Sequence, residues 1–341
     1  MSATALSRGV AAADRGRIPV LDIGSYLAGD PGAAAPLARA IARACEDIGF
    51  LVIANHGMAP HLVEDTFAVA VQFFARPEAD KLALKVGKYN IGYLPFGGQV
   101  VRHSPVNRNT RPNFSESFYI TRDRAPDHPD IVNQKPLVGL NHWPPDMPEF
   151  RAATTAYYRA MEAMTTRLVP IVALALDLPA DYFSEAFAKP NCTIRLIHYP
   201  PHPDPEENEF GFAPHTDNNF LTFSRSRHYR VSRCAPPRVS GSSRRQCRGL
   251  LSSTPGRCWR ATRTTASGPP PTASSTETIP RAMRSRSFSG RTTDTVVDCV
   301  PTCVGPDNPP HYEPTIYGAF TRRLLSLNVA HRRAEDGGEY G

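Results

Sequence analysis

The stretch Ala213-Pro214-His215-Thr216-Asp217-Asn218 decides how this chain is read. In an extended strand, residues i and i+2 project from the same side, so His215 and Asp217 present an imidazole and a carboxylate together. Two such donors on one face can hold a divalent metal. With a second imidazole from elsewhere they form the facial triad of two histidines and one carboxylate, which leaves three positions of an iron(II) ion open for substrate and oxygen. The spacing alone is a weak signal, because a solvated strand or a hydrogen-bonded couple carries it more often. The neighbourhood has to decide.

Upstream, Cys192 to Tyr199 and Phe210 to Phe223 read as strands, and Glu149 to Leu178 as a long helix interrupted or kinked at Pro170. Residues 87–141 are rich in Pro, Gly and Asn and predict loops and short strands. Val63 to Phe74 and Pro77 to Val86 predict helices, the second with Pro in its first turn, where the missing N–H costs nothing. Leu37, Ile41, Ala44, Cys45 and Ile48 repeat at helical spacing up to Gly49, a C-terminal stop. Phe50 to Ala54 is a buried strand closed by Asn55-His56-Gly57, and residues 18–22 form a short strand. Helices come early and strands late.

Several of these segments share an order. Ile18-Pro19-Val20-Leu21-Asp22, then Cys45-Glu46-Asp47-Ile48-Gly49-Phe50, then Asn55-His56-Gly57, resemble the N-terminal region of the isopenicillin N synthase-like iron(II)/2-oxoglutarate dioxygenases. Ile194-Arg195-Leu196-Ile197-His198-Tyr199-Pro200-Pro201 precedes the His-x-Asp pair as the Tyr-Pro segment does in that family. The resemblance runs from 18 to 223 and resumes at Thr293 to Phe320, where Pro309-Pro310-His311-Tyr312 and Tyr317-Gly318 are similar to the family's closing segment.

This resemblance implies an α+β fold: a double-stranded β-helix, or jelly-roll barrel, wrapped by the N-terminal helices, with the metal inside the barrel mouth. It implies His215 and Asp217 as ligands of Fe(II), and 2-oxoglutarate as co-substrate, although some members oxidise their substrate without it. Tyr199 is then a candidate hydrogen-bond donor to the carboxylate of co-substrate or substrate, with a barrel-lining aromatic as the alternative. His56 belongs to a structural turn. The partners implied are a small organic substrate and O2, the substrate's identity and the reaction subtype being open.

The same pattern requires a third ligand, a His, near residue 272, and beyond it an Arg near 281 whose planar fork pairs with the 2-oxoglutarate carboxylate. Residues 269–275 instead read Pro-Pro-Pro-Thr-Ala-Ser-Ser. No His lies between His228 and His311, and His228, eleven residues past Asp217, is too close to come from a distant barrel strand. As written, the third His ligand and the usual Arg are missing.

Charge locates the break. Ser224 to Thr292 holds 15 Arg, no Lys and one acid, Glu277: a charge of +14 in a chain of +7, so the remainder sits at −7. In that window only six residues are Leu, Ile, Val or Phe, roughly 9%, against the ~20% below which a chain cannot build a core. Its composition is that of a coding stretch read out of frame. Building each alternative codon from the last base of one codon and the first two of the next, the genetic code permits His-Arg-Val-Ile-Asn across Pro271 to Thr276. It permits Arg-Tyr-Ala-Ile-Pro-Phe-Phe across Arg281 to Phe288. Both strings resemble the family's missing motifs, in the right order. A frame slip just after Phe223, restored near Gly290 to Thr293, accounts for the charge, the apolar deficit and the absent ligand together. It predicts a barrel incomplete over 224–292 and poor folding beyond residue 223.

The domain reading follows: a flexible 1–17, an N-terminal dioxygenase region at 18–140, the long helix and first barrel strands at 141–223, the anomalous 224–292, and a C-terminal family segment at 293–341. Two alternatives remain at this point. One is a non-catalytic remnant of the family. The other is an Arg-rich nucleic-acid-binding protein, disfavoured because the window lacks Gly-Arg repeats and holds only Tyr229, Trp259 and Phe288 as aromatics. Arg102, Arg108 and Arg111, ahead of Asn113 to Phe118, read as solvated charge, with contact to an anionic substrate as the alternative. Tyr157, Tyr158, Met161 and Met164 read as core packing. Seven cysteines make no disulfide framework, and Cys299 and Cys303 have no second pair to complete a zinc site. No apolar run reaches 18 residues and the first 17 residues lack the pattern of a secretory signal, so the expectation is a cytoplasmic protein without a membrane segment.

Overall fold

Two short strands, β1 (Val20–Asp22) and β2 (Leu51–Ala54), pair in parallel, with Val20 opposite Val52. Parallel pairing needs a crossover, and here it is made by α1 (Gly24–Leu27) and α2 (Ala34–Asp47). Helix α2 turns Leu37, Ala38, Ile41 and Ala44 inward, the 3–4 spacing read from the sequence. It stops at Gly49, whose φ of +75° a side chain would resist and whose N–H caps the Ala44 carbonyl at 2.9 Å. The computed structural model describes residues 18–47, 49–100, 111–201, 209–215, 217, 219–226, 233–234, 251–255, 272–274, 282–290, 292–306, 309–310 and 312–328.

After β2 come α3 (Pro60–Phe74) and α4 (Glu78–Leu82), then β3 (Gly92–Leu94), β4 (Glu116–Thr121) and α5 (Pro129–Val132). Helix α4 is shorter than the 77–86 expected. The Leu84 carbonyl accepts from Tyr93 N–H and the Val86 N–H donates to the Tyr93 carbonyl, both at 2.8 Å, so the sheet edge takes the groups a longer helix would use. Next comes α6 (Pro148–Leu174), which continues through Pro170 because Leu168, Val169, Ile171 and Val172 are buried on both sides of the lost hydrogen bond. It ends four residues before the expected Leu178. Asp177 adopts φ +57° and Leu178 N–H returns to the Ala173 carbonyl at 3.1 Å, a left-handed stop.

The strands β5 (Asn191–Tyr199), β6 (Phe212–His215) and β7 (Leu221–Ser226) follow. The expected strand region 210–223 thus resolves into two strands, and they enter different sheets. Beyond it lie β8 (Arg233–Cys234), β9 (Leu251–Pro255), β10 (Thr272–Ser274) and β11 (Ala282–Gly290), then the pair β12 (Val296–Val297) and β13 (Thr315–Ile316), and helix α7 (Tyr317–Asn328). The larger sheet runs β1-β2-β9-β7-β11-β5-β4-β3 and the smaller β6-β10-β8. Over 224–292, where an incomplete barrel was expected, the described residues carry the end of β7 and four further strands, all laddered to neighbours. Backbone hydrogen bonding does not depend on side chains, and β5 and β7 offer β11 a partner on each side.

Strand β5 shows how the layers are built. Its alternate residues Cys192, Ile194 and Leu196 join the main core with Phe73, Phe118, Phe150, Tyr158 and Met161 of α3, β4 and α6. Phe73 meets the Phe118 ring edge-on at 4.8 Å, a geometry that adds about 0.5–1.5 kcal/mol beyond burial. Ile197 and Tyr199, on the opposite face, form a separate buried cluster with Phe212 and Ala213 of the smaller sheet. One face packs on helices and the other on a second sheet, the arrangement of a jelly roll.

Candidate metal and co-substrate site

His215 ends β6 and is buried, and Asp217 follows two residues later. Strand β6 is held by backbone and side-chain bonds from the segment preceding β4: Phe114 N–H donates to the Phe210 carbonyl and Ala213 N–H to Asn113 Oδ1, both at 2.9 Å. The His215 ring packs on Phe212 with centroids 4.4 Å apart.

The two ring nitrogens of His215 do different things. Nδ1 lies 2.8 Å from the Ala213 carbonyl, which only accepts, so Nδ1 carries the proton. Nε2 then faces Asp217 Oδ1 at 3.1 Å with its lone pair toward a carboxylate. Two acceptors at that distance need a cation between them, a second proton on the ring or a metal. A backbone carbonyl fixing the far nitrogen is the usual outer contact of a metal-bound histidine. The pair therefore fits two positions of a metal. Among the described residues no group of three or more His, Cys, Asp or Glu side chains could complete a metal site.

The register sets two positions of the Arg-rich window beside residues of the upstream strands. Thr272 of β10 is the ladder partner of His215, and Ala282 of β11 is the partner of Tyr199. Tyr199 itself is buried on the inner face of β5.

The pair opens onto a cavity of about 160 Å³, lined also by Asn90, Gln99, Tyr119, Arg195 and Tyr317. Arg195, which motif reading did not single out, is 3% exposed. Its Nε donates to Ser117 Oγ at 2.9 Å, and its guanidinium lies 5.0 Å from the Tyr119 ring and 4.8 Å from the Phe212 ring. Alternation along β5 had a signal for it: Arg195 is in phase with Thr193 and Tyr199. Arg102 and Arg108 lie outside the described residues, and Arg111 is exposed and does not line the cavity. His56 accepts from Met58 N–H through Nδ1 at 3.2 Å, a turn contact remote from the pair.

A second polar group sits on the helix-facing side of β5 and went unread. Glu116 is buried, with Lys81 Nζ at 2.7 Å and Tyr93 Oη at 2.6 Å on Oε2, and His198 Nδ1 at 2.7 Å on Oε1. Burial by itself would raise this carboxyl, but the hydrogen bonds from His198, Lys81 and Tyr93 outweigh it and hold the group below the usual carboxylate range. These contacts lock β3, β4, β5 and α4 together.

A jelly roll with helices on one face and a His-x-Asp pair opening onto its inner cavity defines a non-haem metal oxygenase scaffold. Residues 18–146 match the profile of the non-haem dioxygenase in morphine synthesis N-terminal region, and residues 190–232 that of the 2OG-Fe(II) oxygenase superfamily. This chain belongs to the 2-oxoglutarate–iron(II) dioxygenase family, whose cofactor and co-substrate are Fe(II) and 2-oxoglutarate. It is 30% identical over 211 residues to a 2-oxoglutarate-Fe(II) type oxidoreductase of Emericella nidulans, covering 60% of this chain and 59% of that protein. It is 32% identical over 215 residues to a 2-oxoglutarate-dependent dioxygenase of Monascus ruber, covering 60% and 63%. The chain thus matches about three fifths of the length of these relatives. In fold it is similar to a full-length Neurospora crassa protein crystallised with alpha-KG and thymine, with TM-score 0.77, 19% identity and coverage of 92% and 98%. A 2OG-Fe(II) oxygenase family protein of Caulobacter crescentus gives TM-score 0.76, 19% identity and coverage of 91% and 98%. The oxygenase profile stops at 232, just inside the Arg-rich window, whereas the likeness of fold extends over most of the chain.

Proposed function

We propose that this chain descends from, and retains the scaffold of, an iron(II)- and 2-oxoglutarate-dependent oxidoreductase acting on a small organic molecule. The observation that carries the reading is the His215 Nε2 to Asp217 Oδ1 approach at 3.1 Å with Nδ1 fixed on a carbonyl. When bound, iron(II) with 2-oxoglutarate and O2 supplies oxidation of an otherwise inert C–H bond. His215 Nε2 and Asp217 Oδ1 would hold the metal. Ala213 and Phe212 fix the imidazole plane, and Tyr199 would orient a carboxylate from the inner face of β5. A relative in fold bound thymine in its crystal, which supports a ring-bearing substrate of similar size here.

One observation favours the second reading, a family member without full activity: the ladder partner of His215 is Thr272, which offers no imidazole. With two protein ligands the chain is expected to hold iron(II) weakly and to decarboxylate 2-oxoglutarate slowly. Iron(II) titration of the purified chain by calorimetry, followed by a succinate-release assay, tests both statements. His215→Ala should abolish the residual binding. Tight, stoichiometric iron with rapid turnover would overturn the expectation of a crippled site.

A further inference from the structure

The main core contains a further cavity, of about 30 Å³, where the larger sheet meets its covering helices. Its walls include Ile41 of α2, Ile53 of β2, Leu168 and Ile171 of α6, and Leu221 and Phe223 of β7, all at most 7% exposed. Protein interiors are packed like organic crystals and hold few spaces larger than a water molecule. A space of this size among large aliphatic side chains is therefore the exception, and its size and polarity decide what it can hold.

A buried water needs about 10–15 Å³ and two to four polar partners. The volume suffices, but the partners are lacking. Among the described residues the sole heteroatom on a lining side chain is the Cys45 sulfur, a weak hydrogen-bonding group. The backbone of β2 and of β7 is laddered to a neighbour on each side, which turns its N–H and C=O groups into the sheet. At two or three times the space of one water, the cavity takes an apolar molecule of about two heavy atoms. It lies far below the ~300–1,000 Å³ of sites for organic ligands. Its position adds a second observation. Leu221 lines this cavity, and Asn219, two residues before it, lines the one shared with His215 and Asp217. Two residues of chain span at most about 7 Å, so the two cavities approach each other at the start of β7.

We propose that the apolar cavity between α2, α6, β2 and β7 is a dioxygen-holding site next to the metal cavity. Dioxygen has two heavy atoms, no dipole and no hydrogen-bonding demand that the walls leave unmet, and it gains from leaving water for an apolar surrounding. The choice of dioxygen among small apolar molecules rests on the proposed function, which consumes it, but the binding itself needs neither iron nor 2-oxoglutarate.

The test uses the metal-free full chain, methyl-labelled at Ile, Leu and Val, under dioxygen, with dinitrogen at the same pressure as the diamagnetic control. Dioxygen is paramagnetic and speeds the relaxation of the protons beside it. The methyls of Ile53, Leu168 and Leu221 are expected to relax faster than those of Ile120 and Ile194, which are equally buried and do not line the cavity. Val172 also lines it, so Val172→Ile, which adds a methyl group to the wall, should bring the enhancement down to that of Ile120 and Ile194. Ile171→Val, which removes one, should raise it, and it decides the matter alone if Val172→Ile does not fold. Enhancement no greater than at Ile120 and Ile194, or unmoved by either substitution, would overturn the proposal. So would water-to-methyl cross-relaxation at Leu168 and Leu221, which would give the space to water. Iron titration and succinate release are read separately, so loss of the oxygenase reading and loss of this one remain distinguishable.

Discussion

Thr272 stands directly opposite His215 in the antiparallel ladder between β10 and β6. Side chains at directly opposed positions have Cβ atoms about 4.5–5.5 Å apart on one face, which is within reach of a shared metal. A histidine placed there would add an imidazole at the ladder position opposite His215.

Thr272→His is therefore expected to tighten iron(II) binding by about tenfold or more. Competition titration of the variant against the parent chain measures it. Unchanged affinity would show that β10 does not bring position 272 to the metal.

Resequencing the coding DNA across codons 220–295 from an independent preparation is expected to reveal single-base changes that restore His near 272 and Arg near 281. The ladder places Thr272 beside His215 and Ala282 beside Tyr199. A sequence that stands unaltered would establish a damaged family member.

The buried Glu116 contacts make a stability prediction. Lys81→Met alone leaves a carboxylate facing His198 and Tyr93 without its ammonium, and a broken buried pair typically costs about 3–5 kcal/mol. Lys81→Met with Glu116→Leu should recover much of that loss, since no charge then remains buried. Denaturant midpoints of the two variants decide it.

The same carboxyl sets a pH dependence. Its folded-state pKa is lowered, so its contribution is fully present above the unfolded value of about 4.3. It is lost as pH falls below that value through the folded one. Stability measured between about pH 7 and pH 3 should fall less steeply at the acid end in the Glu116→Gln variant than in the parent.

Gly318→Ala tests the closing segment. Gly318 N–H donates to the Thr293 carbonyl at 2.8 Å, and an added Cβ would lie 2.7 Å from that same oxygen. Overpacking against backbone costs about 1–3 kcal/mol, and the neighbouring Tyr317 lines the cavity. The variant should melt earlier, whereas Ala319→Ser, at an exposed position, should be neutral.

Local pattern was enough for much of the fold. The apolar spacing of Leu37 to Ala44, the stop at Gly49 and the buried run at 51–54 appear where short-range rules put them. Asp177 and the edge pairing of Leu84 and Val86 were not legible, because a helix end depends on which distant groups compete for its last carbonyls. At the site, His215 and Asp217 could be paired because they are two residues apart in sequence, although β6 ends at His215 and Asp217 lies just beyond the strand. Arg195 could not be singled out, since its importance comes from Ser117, Tyr119 and Phe212, which arrive from two other strands. The Glu116 cluster escaped for the same reason, with partners drawn from α4, β3 and β5.

By itself the sequence determined the family and the break in composition after Phe223, and it singled out His215 and Asp217 as candidate donors, because each is written in consecutive or near-consecutive residues. Tertiary structure alone decided which positions of the Arg-rich window stand beside the upstream strands. Ladder register joins Thr272 to His215 and Ala282 to Tyr199 across 57 and 83 positions of chain. It also decided that one buried arginine faces the cavity, since a strand's alternation acquires an inside only when a second sheet closes over it.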